Sequence, residues 1–448
     1  MTATTAQQPA GLTDFIDSAR TWLSSVASPR QARPWGEGSD AVVVFENWTA
    51  EQERAETDRR RDYEKAKFDA GFGALTWGAE YGGRGLPIAF DLAFRRLEAE
   101  YDLPQRTEMF PVTQQLIAPT IAQWGTEEQQ AEYVRALLRT DLIACQLFSE
   151  TEAGSDLAAV RTRAVERDGR WVLNGAKVWT SGAPVSDYGI AVCRTDSEVP
   201  KHQGLTVFIV PMDAPGVTVL PIRQMTGGSS FNEVLLDNVE LDDRYRLGPV
   251  GAGWKVALTV LAAERLDSGS LGLDNADQAV ELARNLGREL DALERDQVAD
   301  LVCRSFVQRL VGMRVAAAVV AGREPGPEAS VGKLLATDTM ARTSETVRTL
   351  LGPELAVRSD RWGTWAWTEH VLGAPGYRIA GGTDEIQRNI LAERVLGLPR
   401  EPRPCRPPTP PRPPTRCSCA TASLPASRLP EWPGRSARSS RCSGAIRA

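Results

Sequence analysis

Histidine is nearly missing: among 448 residues there are only His202 and His370, neither beside a nucleophile or a set of metal ligands. Histidine-based metal sites and catalytic triads therefore have little to be built from, and both residues are expected at the surface or in packing. No run approaches the eighteen or so apolar residues that a bilayer crossing needs, so no membrane span is expected. Met1 to Ala10 lacks the basic start and apolar core of a secretory signal, which points to the cytoplasm. Of seven cysteines, Cys145, Cys193 and Cys303 are far apart without metal-ligand spacing, and Cys405, Cys417, Cys419 and Cys442 crowd the chain end.

Basic excess is also missing where it would matter. The stretch from Glu401 on carries nine arginines, two glutamates, no lysine and eleven of the 29 prolines. Its charge is +7, which leaves −13 on the body out of a total of −6, and an acidic body excludes a general nucleic-acid role. The Pro/Arg/Ser/Cys mixture of 403–448 has no periodic apolar face and cannot pack a core. We expect it to be a disordered tail, or read-through of a GC-rich gene in a shifted frame.

What remains is ordinary globular material, long enough for two or three domains. Residues 1–141 read as helical: Phe15, Ala19, Trp22 and Leu23 form a stripe, and Glu51–Phe68 is charged with Tyr63 and Phe68 as its buried contacts. Gly71 to Pro87 holds six glycines and is expected to be a tightly folded loop. Helices resume at Ile88–Tyr101 and Val112–Trp124, and Thr126 caps a further one. At Leu142 the period changes. Strands are expected at Tyr188–Arg194, Leu205–Pro211, Val217–Ile222 and Glu233–Val239, with a hairpin turning at Asn174-Gly175. Residues 142–245 thus form a β-domain. Helical patterns then run through 246–402: Trp254–Leu271, Ala276–Leu293, Gln297–Ala321, Ala329–Leu351 and Thr383–Val395. The class is α+β in the order helical, β, helical.

Three segments carry chemistry. Cys145-Gln-Leu-Phe-Ser-Glu-Thr-Glu-Ala-Gly-Ser-Asp156 ends in a turn of clustered amides and hydroxyls, suited to a polar ligand edge. Trp179-Thr180-Ser181 sets a broad aromatic beside hydroxyls, which suits a flat heteroaromatic cofactor. Gly381-Gly382-Thr383 opens a helix whose free amides can meet an oxyanion or phosphate. Two other glycine-rich stretches are decoys. Gly248–Gly253 lacks dinucleotide spacing, and Gly326 to Lys333 is one residue too long for a phosphate loop.

Together these segments resemble the acyl-CoA dehydrogenase family across roughly residues 12–402. The resemblance rests on the Trp77–Pro87 loop, Ser149-Glu-Thr-Glu-Ala-Gly-Ser-Asp156, Asn174-Gly-Ala-Lys-Val-Trp179 and Gly381-Gly-Thr-Asp-Glu-Ile-Gln-Arg-Asn-Ile390. The closing Ala392–Arg400 looks like a bacterial branch tied to sterol or other bulky acyl chains. The resemblance implies an N-terminal helical domain, a β-barrel-like middle domain and a C-terminal four-helix bundle. It implies FAD between the last two, completed by a homologous subunit in a dimer or tetramer. Gln146, Leu147, Phe148, Ser149, Gly154 and Ser155 would then line the flavin, with Ser149 facing its ring. Trp179, Thr180 and Ser181 would flank it, and Thr383 and Glu385 would reach its outer part. Ser155, Arg265 and Gly382 would touch the CoA thioester. The implied reaction is α,β-dehydrogenation of an acyl-CoA, with electrons leaving to an electron-transfer flavoprotein.

The chain departs from the family pattern where it matters most. The usual catalytic glutamate before the Gly-Thr pair is Gly381, which keeps the backbone N–H for the thioester oxygen and lacks the base. A second base position, ahead of Arg265, holds Glu264. It follows Ala257, Val260 and Leu261 on a small, apolar helix face where a carboxylate is desolvated into a stronger base. Thr151-Glu152 replaces a Pro-Gly, and Arg284-Asn-Leu-Gly-Arg288 lacks the aromatic of the segment that reaches a neighbour's FAD. Enzyme and non-catalytic partner subunit are therefore both open readings, with Glu264 as the base in the first.

Overall fold

The computed structural model describes residues 11–31, 42–268, 275–323, 326–357 and 364–400, with backbone only at 265–268 and 364–365. The tail expected at 403–448 and the segment Met1–Ala10 lie outside the described residues.

Helices α1 (Leu12–Val26), α2 (Ala50–Asp69) and α3 (Ile88–Glu98) are followed by two helical runs, α4 (109–124) and α5 (127–139). The α1 stripe works as expected: Phe15, Ala19 and Leu23 are buried with Phe72, Phe90 and Phe94 in one cluster, and Trp22 packs against it. Thr126 caps α5 with a full capping box, its hydroxyl accepting from the Gln129 amide at 3.3 Å. Helix α2 differs from expectation. Tyr63 and Phe68 are buried, but so are Glu56, Arg60 and Glu64. Arg60 reaches Glu64 one turn away at 2.5 Å, and Lys67 reaches both Glu64 and Glu98. Burial alone would raise the Glu64 carboxyl, yet Lys67 and Arg60 hold it far below the usual carboxylate range. A charged sequence was thus folded inward as a neutralised network.

The middle region is one eight-stranded sheet: β1 (Ala144–Leu147), β2 (Arg163–Arg167), β3 (Arg170–Ser181), β4 (Tyr188–Arg194), β5 (Leu205–Pro211), β6 (Val217–Ile222), β7 (Phe231–Asp242) and β8 (Arg246–Leu247). The order is β6-β7-β3-β2-β4-β5-β8, with β1 lying parallel to β4. The bounds expected for β4, β5 and β6 hold. The hairpin does not turn at Asn174-Gly175, where β3 continues through a register shift. It turns at Asp168 and Gly169, both at positive φ, between β2 and β3. Gly175 is required for another reason: a Cβ there would lie 2.4 Å from the Thr162 hydroxyl.

The C-terminal region holds α6 (Gly253–Ser268), α7 (Ala276–Arg284), α8 (Ala292–Val320), α9 (Ser330–Leu351), α10 (Thr364–Tyr377) and α11 (Asp384–Ile390). The helix expected over Ala276–Leu293 stops at Arg284, ahead of Gly287 at φ 73°. Helix α10, crowded with tryptophan, glycine and Pro375, had no expectation because its composition shows no one-sided stripe. Val256, Ala257 and Val260 of α6 join the core shared by α4, α5 and strands β4 and β5.

Candidate active site

The β-domain side of the site is organised by one buried cation. Lys177 in β3 is fully buried and donates to the Phe148 carbonyl at 3.0 Å, the Val192 carbonyl at 2.7 Å and Glu150 at 2.8 Å. Glu150 also accepts from the amides of Arg161 at 2.6 Å and Thr162 at 2.9 Å. Burial pulls the Lys177 ammonium down, and it would push Glu150 up. Lys177 and these donors nevertheless hold the Glu150 carboxyl below its ordinary range. The consequence is geometric: Phe148, Ser149 and Glu150 are tied to β3, where the Val178 amide also donates to the Ser149 carbonyl at 2.9 Å. Leu147 and Phe148 are themselves core side chains, so they can offer a ligand only their backbone. Ser149 and Gln146 are half-buried, while Gly154 and Ser155 lie on an exposed loop.

Trp179 stands out. It takes φ 66°, a region that bulky residues avoid, at a register shift between Lys177 and Thr180. That twist holds its indole outward at 59% exposure, with only its edge against Phe231. Thr180 points the other way and is buried, its carbonyl accepting from Asn232 at 3.1 Å. Ser181 is half-buried and donates to Glu108 at 3.4 Å. The alternation leaves an indole face and one hydroxyl for a ligand.

On the helical side, Gly381 and Gly382 take φ 63° and 83°, consecutive left-handed positions that glycine alone adopts without strain. Thr383 then caps α11, its hydroxyl accepting from the Ile386 amide at 3.2 Å. Gln387 donates to the Gly381 carbonyl at 2.9 Å, and Lys333 to the Gly382 carbonyl at 2.8 Å. Beneath the turn Asp384 is buried and binds Lys333, Thr337 and Arg378. Burial opposes the Asp384 charge, but Arg378 and its companions keep the carboxyl below its usual range. Among the described residues nothing accepts the Gly381 N–H. Glu385 is exposed at the same helix start, and its carboxyl is lowered by its own amide and Thr383.

Glu264 is half-buried one turn beyond Val260 on α6, engaged by contacts of its own. Arg265 follows it in the helix, and its side chain lies outside the described residues. Arg288 is exposed and is held within the chain by Glu294 at 2.6 Å and the Leu350 carbonyl at 3.2 Å. A cavity of about 220 Å³ between α2 and the loop 184–187 contains none of the expected site residues. It is a polar cleft in which Arg61 is already held by Asp187 at 2.7 Å.

Lys333, Glu108 and Tyr377 were not expected near the site, and Glu150, Lys177 and Asp384, although inside the motifs, had no positioning role assigned. A lysine flanked by Ala176 and Val178 within a strand was a usable signal, since such a residue is rarely buried without a partner. The meeting of Tyr377 with Glu108, 269 residues apart in the chain, left no local signal. The expected packing role of His370 is seen: it is fully buried with Asn275 and the Val42 carbonyl. His202 is exposed beside Trp254. Among the described residues no cluster of metal ligands occurs, and no helix is long and apolar enough to cross a membrane.

Three family models match almost end to end: acyl-CoA dehydrogenase N-terminal domain over 42–141, middle domain over 145–239 and C-terminal domain over 251–396. The chain is 36% identical over 357 residues to acyl-CoA dehydrogenase IpdE1 of Mycobacterium tuberculosis, covering 77% of this chain and 90% of that protein. It is 39% identical over 335 residues to acyl-CoA dehydrogenase FadE34 of the same organism, 74% of this chain but only 45% of that longer relative. Among solved structures, the Tcur3481-Tcur3483 steroid ACAD superposes with a TM-score of 0.70 at 27% identity, covering 88% and 99% of the two chains. With helical, β and helical regions in matching order, the chain belongs to the acyl-CoA dehydrogenase family.

Proposed function

We propose that this chain is an FAD-dependent dehydrogenase that desaturates an acyl-CoA thioester between its α and β carbons, working beside a homologous subunit and an electron-transfer flavoprotein. The observation that carries the reading is Trp179, twisted to φ 66° so that its indole stands exposed beside Ser181. A flat ring system fits that plane, and the Ser149 segment is pinned next to it by Lys177. The capped turn at Thr383 offers helix-start amides suited to the anionic outer part of FAD. Bound there, FAD would accept the β-hydrogen as hydride.

The chain's own residues would do the rest. The Gly381 N–H would bond the thioester oxygen as it gains charge, its turn held by Gln387 and Lys333. Glu264 would take the α-proton on a carboxylate oxygen from its half-buried position on α6. Ser155, Arg265 and Gly382 would hold the thioester and its CoA. A bulky, sterol-derived acyl group is favoured by the similarity to a protein named as a steroid ACAD.

Helix α8 supports the partner. Val302, Phe306, Leu310, Met313 and Val320 are all exposed and recur at helical spacing over 27 Å or so of its length. Such a stripe is a surface for another helical chain, and the similar steroid ACAD itself carries two component names. Gly381 and the altered Arg284–Arg288 segment, whose Arg288 is engaged by Glu294 of the same chain, favour one second reading, a non-catalytic subunit that completes a partner's site.

Glu264→Gln tests the base. The variant should keep bound FAD and lose flavin bleaching by thioester about 10²–10⁴-fold. Undiminished turnover would remove Glu264 from the mechanism.

A further inference from the structure

Beside the flavin-flanking strand lies a carboxylate that the dehydrogenation itself does not use. Glu108 precedes α4, and its neighbour Met109 packs against the end of β3. A Cβ on Gly182, which has φ 64°, would lie 3.0 Å from the Met109 Cβ. That contact seats Glu108 over Ser181, whose hydroxyl donates to Oε2 at 3.4 Å. From the far side the Tyr377 hydroxyl donates to Oε1 at 2.6 Å, four residues before Gly381.

Tyr377 is not free to swing away. Its ring stacks on Phe45 at 5.4 Å and 11°, Phe45 meets Phe231 edge-on at 5.2 Å, and Phe231 meets Trp179 at 6.3 Å. The aromatic chain therefore couples the placement of Glu108 to the indole assigned to the cofactor. Glu108 itself remains exposed. An ionised carboxylate has about four acceptor positions, and Ser181 and Tyr377 take one on each oxygen. The remaining positions suit a hydroxyl donor and repel another carboxylate.

We propose that Glu108, clamped between Ser181 and Tyr377, is a specificity-determining residue that selects acyl groups bearing a hydroxyl and rejects those ending in a carboxylate. This rests on the acyl-CoA reading above. A hydrogen bond to a charged acceptor corresponds to about a ten- to a hundredfold preference. A structural latch between α10 and the 108 segment would give no such preference.

The test uses the FAD-loaded protein with its homologous subunit. Octanoyl-CoA is compared with 5-hydroxyoctanoyl-, 8-hydroxyoctanoyl- and ω-carboxyoctanoyl-CoA. Binding is read by calorimetry and by the change in flavin absorption, not by turnover alone. The expected result is preference for at least one hydroxylated thioester and rejection of the carboxylated one. Glu108→Ala should abolish both, and Tyr377→Phe should weaken both. The ratio of affinities is the readout, so a general loss of binding cancels. Binding without discrimination in the natural protein, or discrimination unchanged in Glu108→Ala, overturns the proposal and leaves the dehydrogenase reading standing. If no thioester binds, both fall.

Discussion

Strands β4 and β5 and helix α8 make an instructive pair. From Gly189 to Cys193 and from Leu205 to Val210 every residue is buried, whereas over the 29 residues of α8 only Glu294, Leu301 and Ser305 are. The strands are satisfied on both faces by this chain: β4 is paired by β1, β2 and β5, and clusters lie on either side. Helix α8 has α7 and α9 behind it and an apolar stripe in front. The sheet is thus satisfied within this chain, whereas the apolar stripe of α8 is left exposed by it.

The comparison is broken most forcefully at Lys177. Replacing it with methionine strands Glu150 and the carbonyls of Phe148 and Val192, at a cost of about 3–5 kcal/mol. Thermal melting should fall sharply, and flavin should be lost before the fold is. A melting point within a degree or two of the natural protein would show that the sheet does not depend on this ion pair.

Next in size is His370, buried against Asn275 and the Val42 carbonyl and pushed down to about 4, chiefly by desolvation. A folded pKa below the unfolded value near 6.5 means stability is fully present above about 6.5 and is lost as pH falls toward 4. The loss is about 3 kcal/mol. Denaturant titrations at pH 7.5 and 4.5 measure it, and His370→Gln should flatten the dependence. An equal slope in the variant assigns the acid sensitivity elsewhere, for instance to the Glu64 network.

Thr383→Ala is smaller. Losing the cap on α11 should cost about 1 kcal/mol and loosen FAD about fivefold, read by equilibrium dialysis. Smallest in the isolated fold, and largest in assembly, is Phe306→Glu with Leu310→Glu. On an exposed face the pair should shift stability by about 0.5 kcal/mol or less while abolishing association with the homologous subunit. Sedimentation of the mixed subunits decides it; complexes that survive both charges would place the interface elsewhere.

Structure that is set locally is written plainly in the sequence. Strands β4, β5 and β6 were read to the residue because Val-, Ile- and Leu-rich runs end at glycine, proline and aspartate. The Thr126 and Thr383 caps were equally visible, since capping is local in sequence. The hairpin was misplaced because Asn174-Gly175 and Asp168-Gly169 carry the same turn chemistry, and only the approach of Thr162 distinguishes them. In α2 the sequence points to Tyr63 and Phe68 as the buried contacts; Arg60 and Glu64 are buried as well, because pairing that neutralises charge is made in three dimensions. The site residues found from motifs were those that would touch ligand. Lys177, Lys333 and Asp384, which hold those residues in place, became visible only through their partners.

We expect the β-sheet to hold FAD once the exposed stripe of α8 is covered by a homologous subunit. Purifying this chain alone and together with such a subunit, and recording visible absorbance before and after thioester under anaerobic conditions, tests it most directly. A yellow complex that bleaches on addition of substrate is expected. Protein that is colourless in both preparations would contradict it.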